Sequence, residues 1–132
     1  MVTDTMIAEF IIQNFKPAAE WTLAPVIAWV NWFRRDGRCA VISDAGKVVA
    51  VALARPISPE QDPEQHYQIS PTSPTIFVDL VIGSRAIMAE MMEFIPRRFP
   101  NVARLKFARF KGGKTRHRDY DFSTIKLRIN HG

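Results

Sequence analysis

The chain has 132 residues, 47% of them hydrophobic, which suffices for one packed core and not for two. No stretch reaches the roughly 18 apolar residues that a membrane-crossing helix needs. A lone Cys39 excludes a disulfide framework or a thiolate metal cluster, and His66, His117 and His131 lack metal-ligand spacing, so no metal is expected.

The net charge of +5 hides an asymmetry. Residues 1–83 hold six Lys/Arg and nine Asp/Glu, net −3, whereas residues 84–132 hold twelve and four, net +8. The C-terminal part is therefore expected to meet an acidic partner (nucleic acid, a phosphorylated cofactor or an acidic protein), unless the charge serves only solubility. The first residues carry Asp4 and Glu9 and no basic start of a secretory signal, so a reducing, cytoplasmic setting is the expectation.

Met6, Ile7, Phe10, Ile11 and Phe15 recur at helical spacing, and Pro17 ends that helix. A second helix is read from Pro25, with Val26, Val30 and Phe33 on one stripe, Trp29 and Trp32 widening it, and Asp36-Gly37 as the stop. The helical spacing makes these tryptophans core or dimer-interface residues rather than a ligand cage. Arg38–Ser43 and Lys47–Pro56 form a hairpin around Asp44-Ala45-Gly46. Five prolines between 56 and 75 then predict a long polar loop, mobile or poorly packed, with His66 and Tyr67 in its middle.

Thr75–Ile82 reads as a buried central strand interrupted by Asp79. Gly83-Ser84 turns the chain into a helix, with Ser84 as its cap and Ile87, Met88, Met91, Met92 and Ile95 on its apolar face, closing near Pro96 and Pro100. Val102–Phe110 alternates as a strand, 111–123 is a polar segment, and Ile125, Leu127 and Ile129 predict a last strand, with a short helix as the alternative. The expected fold is one α/β domain spanning 1–132, with an N-terminal helical pair, a mostly antiparallel central sheet and one strand–helix–strand crossover.

Asp79 is the leading candidate for chemistry. A carboxylate inside an apolar strand is costly unless partnered, so it serves either as a general base or its orienting partner, or as a structural ion pair with an arginine of the neighbouring strand. The segment Lys111-Gly112-Gly113-Lys114 lets backbone approach a ligand among cations, although it equally suits a solvated turn. Gly83 and Ser84, at a strand-to-helix turn, offer backbone amides to an anion.

These motifs resemble the toxin-activating lysine acyltransferases, a branch of the GNAT-like fold. The resemblance rests on Phe77-Val78-Asp79-Leu80-Val81, on Arg97-Arg98-Phe99-Pro100, and on Phe110 with Gly112, Gly113 and Lys114. It implies a GNAT-like sheet, Asp79 as catalytic aspartate, and acyl transfer to an amine from acyl carrier protein or acetyl-coenzyme A, an acidic carrier suiting the basic C-terminal part. The family's catalytic histidine precedes the hairpin. Residues 1–65 contain none, so either another group serves or the chain is a catalytically silent relative. The rival reading is a non-enzymatic basic module that binds nucleic acid, with Phe107, Phe110, Tyr120 and Phe122 interleaved among cations, or that packs in a larger assembly such as a phage virion. A homodimer through the tryptophan-rich helix is a third expectation.

Overall fold

The computed structural model describes residues 1–83, 85–111 and 114–131, without the side chains of Arg109, Phe110, Lys111 and His131. In chain order the elements are α1 (Asp4–Asn14), a 3-10 turn (Lys16–Ala18), α2 (Leu23–Arg35), β1 (Cys39–Asp44), β2 (Lys47–Pro56), β3 (Thr75–Gly83), α3 (Ala86–Arg98), β4 (Arg104–Lys111), β5 (Lys114–Asp121) and α4 (Phe122–His131). The strands form one five-stranded sheet in sequential order. It is mixed where a mostly antiparallel sheet was expected: β3 and β4 run parallel, because α3 crosses between them, and the other neighbours are antiparallel.

Helices cover both faces, and β2 shows how. Ala50, Ala52 and Ala54 turn their small side chains to α3, joining Met91, Met92 and Ile95 in one core. Val51 and Leu53 point the other way and pack with Ile7 and Ile11 of α1 and Val26, Val30 and Phe33 of α2. Small residues under α3 let that helix approach closely, and larger ones fill the space below the helical pair. Arg55 continues the second row, so a guanidinium stands where an aliphatic side chain would be expected. Asp4 pins α1 to α2 by accepting from Asn31 (2.8 Å) and Arg34 (2.8 Å), which together hold its carboxyl below the usual range. The β1–β2 turn has Ala45 at φ 51° and Gly46 at φ 78°, the mirror-image geometry that matches strand twist in a two-residue hairpin.

The C-terminal expectations need correction. Lys114–Asp121 is a strand, not an irregular polar segment; as an edge strand it is almost wholly exposed and shows no apolar alternation to read. The expected last strand is helix α4. Asp121 accepts from both the backbone amide (3.0 Å) and the hydroxyl (3.2 Å) of Thr124, a helix-start cap. Phe122, Ile125 and Ile129 then meet the α3 core at helical spacing while Leu127 is exposed. Ser84, expected to cap α3, lies outside the described residues; α3 ends at Arg98, between Pro96 and Pro100 as expected, with Pro96 in its last turn. Among the described residues no helix is long and apolar enough to cross a membrane.

Candidate functional site

The centre of interest is a break in the sheet. Strand β2 pairs Leu53 with Leu80 and Ala54 with Val78, so Asp79 is an extra residue, the bulged position of β3. Before the bulge, Ile76 and Val78 face α3; after it, Leu80 faces the helical pair. Asp79, alternating with Val78, lies on the side of Arg55, and the bulge brings Leu80 to that same side. The Arg55 Nε donates to both its oxygens, at 2.9 and 3.2 Å. Only 6% of the Asp79 side chain and 1% of that of Arg55 are exposed. Burial pushes the Asp79 carboxyl up to about 7, with the adjacent Arg55 pulling the other way.

The same bulge marks where β3 and β4 part. Their parallel ladder runs only from Thr75–Arg104 to Val78–Phe107. Beyond it β3 continues along β2 to Gly83 and β4 along β5 to Lys111. The strands diverge around a narrow cleft of about 230 Å³, lined by Val78, Asp79 and Leu80 on one side, Phe107 and Thr115 on the other, with Phe15 beside them. Because β3 and β4 are parallel, Gly83 and the paired backbones of Lys111 and Lys114 lie at the same end of the sheet.

Gly83 itself has a packing explanation. At φ 122° its added Cβ would lie 2.5 Å from Ala50 Cβ and 2.6 Å from Val49 O, so only glycine fits against β2. Lys114 is exposed on β5; Ser84, Gly112, Gly113 and the Lys111 side chain are outside the described residues. Sequence reasoning anticipated an arginine of the neighbouring strand as the partner of Asp79 without naming it, and that arginine is Arg55 of β2.

Arg55 also organises the long loop. Its Nη1 donates to the carbonyls of Gln65 (3.0 Å) and Gln68 (2.8 Å), and Nη2 donates to that of Pro63. Ser70, Gln61 and Ser58 add further bonds across the loop. The segment expected to be mobile or poorly packed is largely exposed, yet it is tied to the sheet by this buried cation and by backbone bonds such as Ser70 N–H to the Pro56 carbonyl (2.8 Å). His66 and Tyr67, held between the Gln65 and Gln68 anchors, project toward α2. There they help line a larger cleft of about 470 Å³ with Glu20, Trp21, Pro25 and Trp29. The tryptophans expected as core or dimer-interface residues divide: Trp29 is buried at 8% exposure, whereas Trp21 is 37% exposed at the cleft rim.

Arg38, also buried, lies flat on Trp32 (3.8 Å to the ring centroid) and donates Nη2 to the Trp32 carbonyl and to Asp36. Burial pushes the Cys39 thiol up to about 12, which removes it as a nucleophile near neutral pH. Among the described residues no three His, Cys, Asp or Glu side chains gather into a metal-binding group. The chain matches no protein-family model, and no curated protein sequence aligns with it.

Proposed function

We propose that the chain is an acyltransferase that takes its donor in the cleft between β3 and β4 and passes the acyl group to an amine. The observation that carries this reading is the parallel strand pair split at a bulge, with a neutral-titrating carboxyl on the cleft wall. Two strands that part leave backbone N–H and C=O groups unpaired between them. An extended thread bearing amides, such as the pantetheine arm of coenzyme A or of an acyl carrier protein, can add to them as a strand would. The narrow cleft suits a thread better than a compact ligand. Gly83 and Lys114 lie at the same end of the sheet, where a phosphate at the head of such an arm would emerge. The parallel pair joined by α3, within a sheet otherwise antiparallel, is also what a GNAT-like fold would require.

In the transfer, the amine nitrogen attacks the thioester carbonyl carbon, a C–N bond forms and the C–S bond breaks. The thiolate departs with a proton from solvent, and the amine's proton passes to a base. Asp79 fits that last role, because a carboxyl titrating near 7 accepts a proton at neutral pH and an ordinary one scarcely does. His66 lies against Trp29 and does not line this cleft, so it is no stand-in for the histidine that the resemblance implies.

The test is binding and turnover with acetyl-coenzyme A and with a fatty-acyl carrier protein, using a lysine peptide as acceptor. Wild type should bind at least one donor and release free thiol. Ala108→Trp, at an exposed position on the cleft wall, should abolish binding without disturbing the core. If wild type binds neither donor at millimolar concentration, the reading fails. A second reading, a nucleic-acid-binding module, draws on the exposed Lys114, Arg116 and Arg118 of β5. It requires affinity for mixed oligonucleotides that falls steeply with salt.

A further inference from the structure

The larger cleft, on the helical layer, plays no part in the acyl-transfer reading. Its floor is Trp29, and its walls stand nearly upright on that floor. The Trp21 ring meets Trp29 at 84° with centroids 6.0 Å apart, and the His66 ring meets it at 74° and 5.8 Å. Tyr67, 48% exposed, stands at the rim, its ring set edge-on over Trp32 at 5.3 Å. The result is an aromatic recess open to solvent on one side.

The loop side of this recess is built in advance. Tyr67 has φ 66°, a left-handed backbone that a non-glycine residue adopts only when its surroundings impose it. Here the surroundings are explicit. Arg55 Nη1 binds the carbonyls on both sides of the His66–Tyr67 pair, and that guanidinium is itself fixed by Asp79. The pair is therefore held out toward α2 by an anchor in the sheet and does not depend on a ligand for its position.

Charge decides what the recess takes. None of the residues that line it is a lysine or an arginine. Glu20 lies on the lining itself. The start of α2 adds only about half a positive charge, less than the one carboxylate beside it. A fatty-acyl carboxylate or a nucleotide phosphate would meet net repulsion there. A soft cation would be drawn in by Glu20 and held on the ring faces, whose quadrupoles attract positive charge.

We infer that this cleft is a binding site for a methylated ammonium group, seated on Trp29 between Trp21 and the His66–Tyr67 pair, with Glu20 as its counter-charge. The site is independent of acyl transfer and stands or falls without it. The same headgroup occurs on a free choline-type solute and on a trimethylated lysine in a peptide.

The experiment titrates the full chain with tetramethylammonium, choline, a trimethyllysine peptide and its unmethylated twin, following tryptophan fluorescence and heat against a sodium chloride control. Uncharged dimethylbutanol, which copies the shape of choline, separates cation attraction from simple apolar filling. Saturable binding of the cations is expected, with the neutral copy roughly tenfold weaker. Trp21→Ala should weaken cation binding by a similar roughly tenfold factor, and Trp21 is exposed enough to be replaced without opening the core. Glu20→Gln, which keeps shape and removes charge, should weaken it several-fold and reduce its salt dependence. Tighter binding of the trimethyllysine peptide than of choline assigns the source to protein; the reverse assigns it to a free solute. Absence of saturable binding by every cation, equal affinity for the neutral copy or the unmethylated peptide, or full affinity in both folded variants overturns the assignment.

Discussion

Replacing Arg55 by methionine tests how far one buried ion pair holds this molecule together. The substitution keeps most of the side-chain volume but removes the donors to Asp79 and to the carbonyls of Pro63, Gln65 and Gln68. Both partners of the pair are almost fully buried, so solvent screening gives no discount. Breaking such a pair from one side costs about 3–5 kcal/mol. That is a large share of the about 5–15 kcal/mol that holds a domain folded. With an unfolding entropy of about 2.1 cal/mol/K per residue, the loss corresponds to a melting temperature lower by roughly 10–18 °C. Urea denaturation and thermal melts at pH 7.5 would measure it, and limited proteolysis should find new cleavage within 57–74. Adding Asp79→Leu should return much of the loss, because the stranded carboxylate disappears with its partner. A loss under about 1 kcal/mol with the loop still resistant would refute the claim that Arg55 fastens it.

Three further outcomes follow from particular residues. The Asp79 carboxyl is raised from 3.8 to about 7, so the folded state binds its proton more tightly than the unfolded chain. This contribution is fully present below about pH 4 and lost as pH rises through 7, a change on the order of a few kcal/mol. Asp79→Asn should flatten the stability profile between those values in urea titrations, and an unchanged slope would count against it. Gly83→Ala should cost at least about 2 kcal/mol through its clash with Ala50 and Val49. Gly46→Ala, with open space around it and φ 78°, should cost only about 1 kcal/mol by the same denaturation assay. Replacing Lys111, Lys114, Arg116 and Arg118 together by alanine should leave the melting temperature within a few degrees and abolish binding to any acidic partner, measured across a salt series with oligonucleotides and acyl carrier protein.

The sequence by itself determined those parts of the molecule whose signals are local. The alternation Ala50-Val51-Ala52-Leu53-Ala54 determined a strand buried on both faces, and Asp44-Ala45-Gly46 a tight turn, because side-chain period and left-handed backbone are properties of adjacent residues. Asp79 announced itself as a partnered carboxylate for the same reason: an acid within an apolar run has few ways to be stable. Which arginine would meet it, and what else that arginine would hold, depended on register. The one-residue bulge between Leu53–Leu80 and Ala54–Val78 coincides with the point where β3 parts from β4, and no local pattern encodes it. The C-terminal segment favoured a strand over a short helix because Ile125, Leu127 and Ile129 satisfy a strand period, and only packing of Phe122, Ile125 and Ile129 on α3 selects the helix. The aromatic recess was equally invisible, since Trp29 meets His66 and Trp32 meets Tyr67 across more than thirty residues of chain, on a loop whose Gln65 and Gln68 carbonyls are bound by a cation of β2.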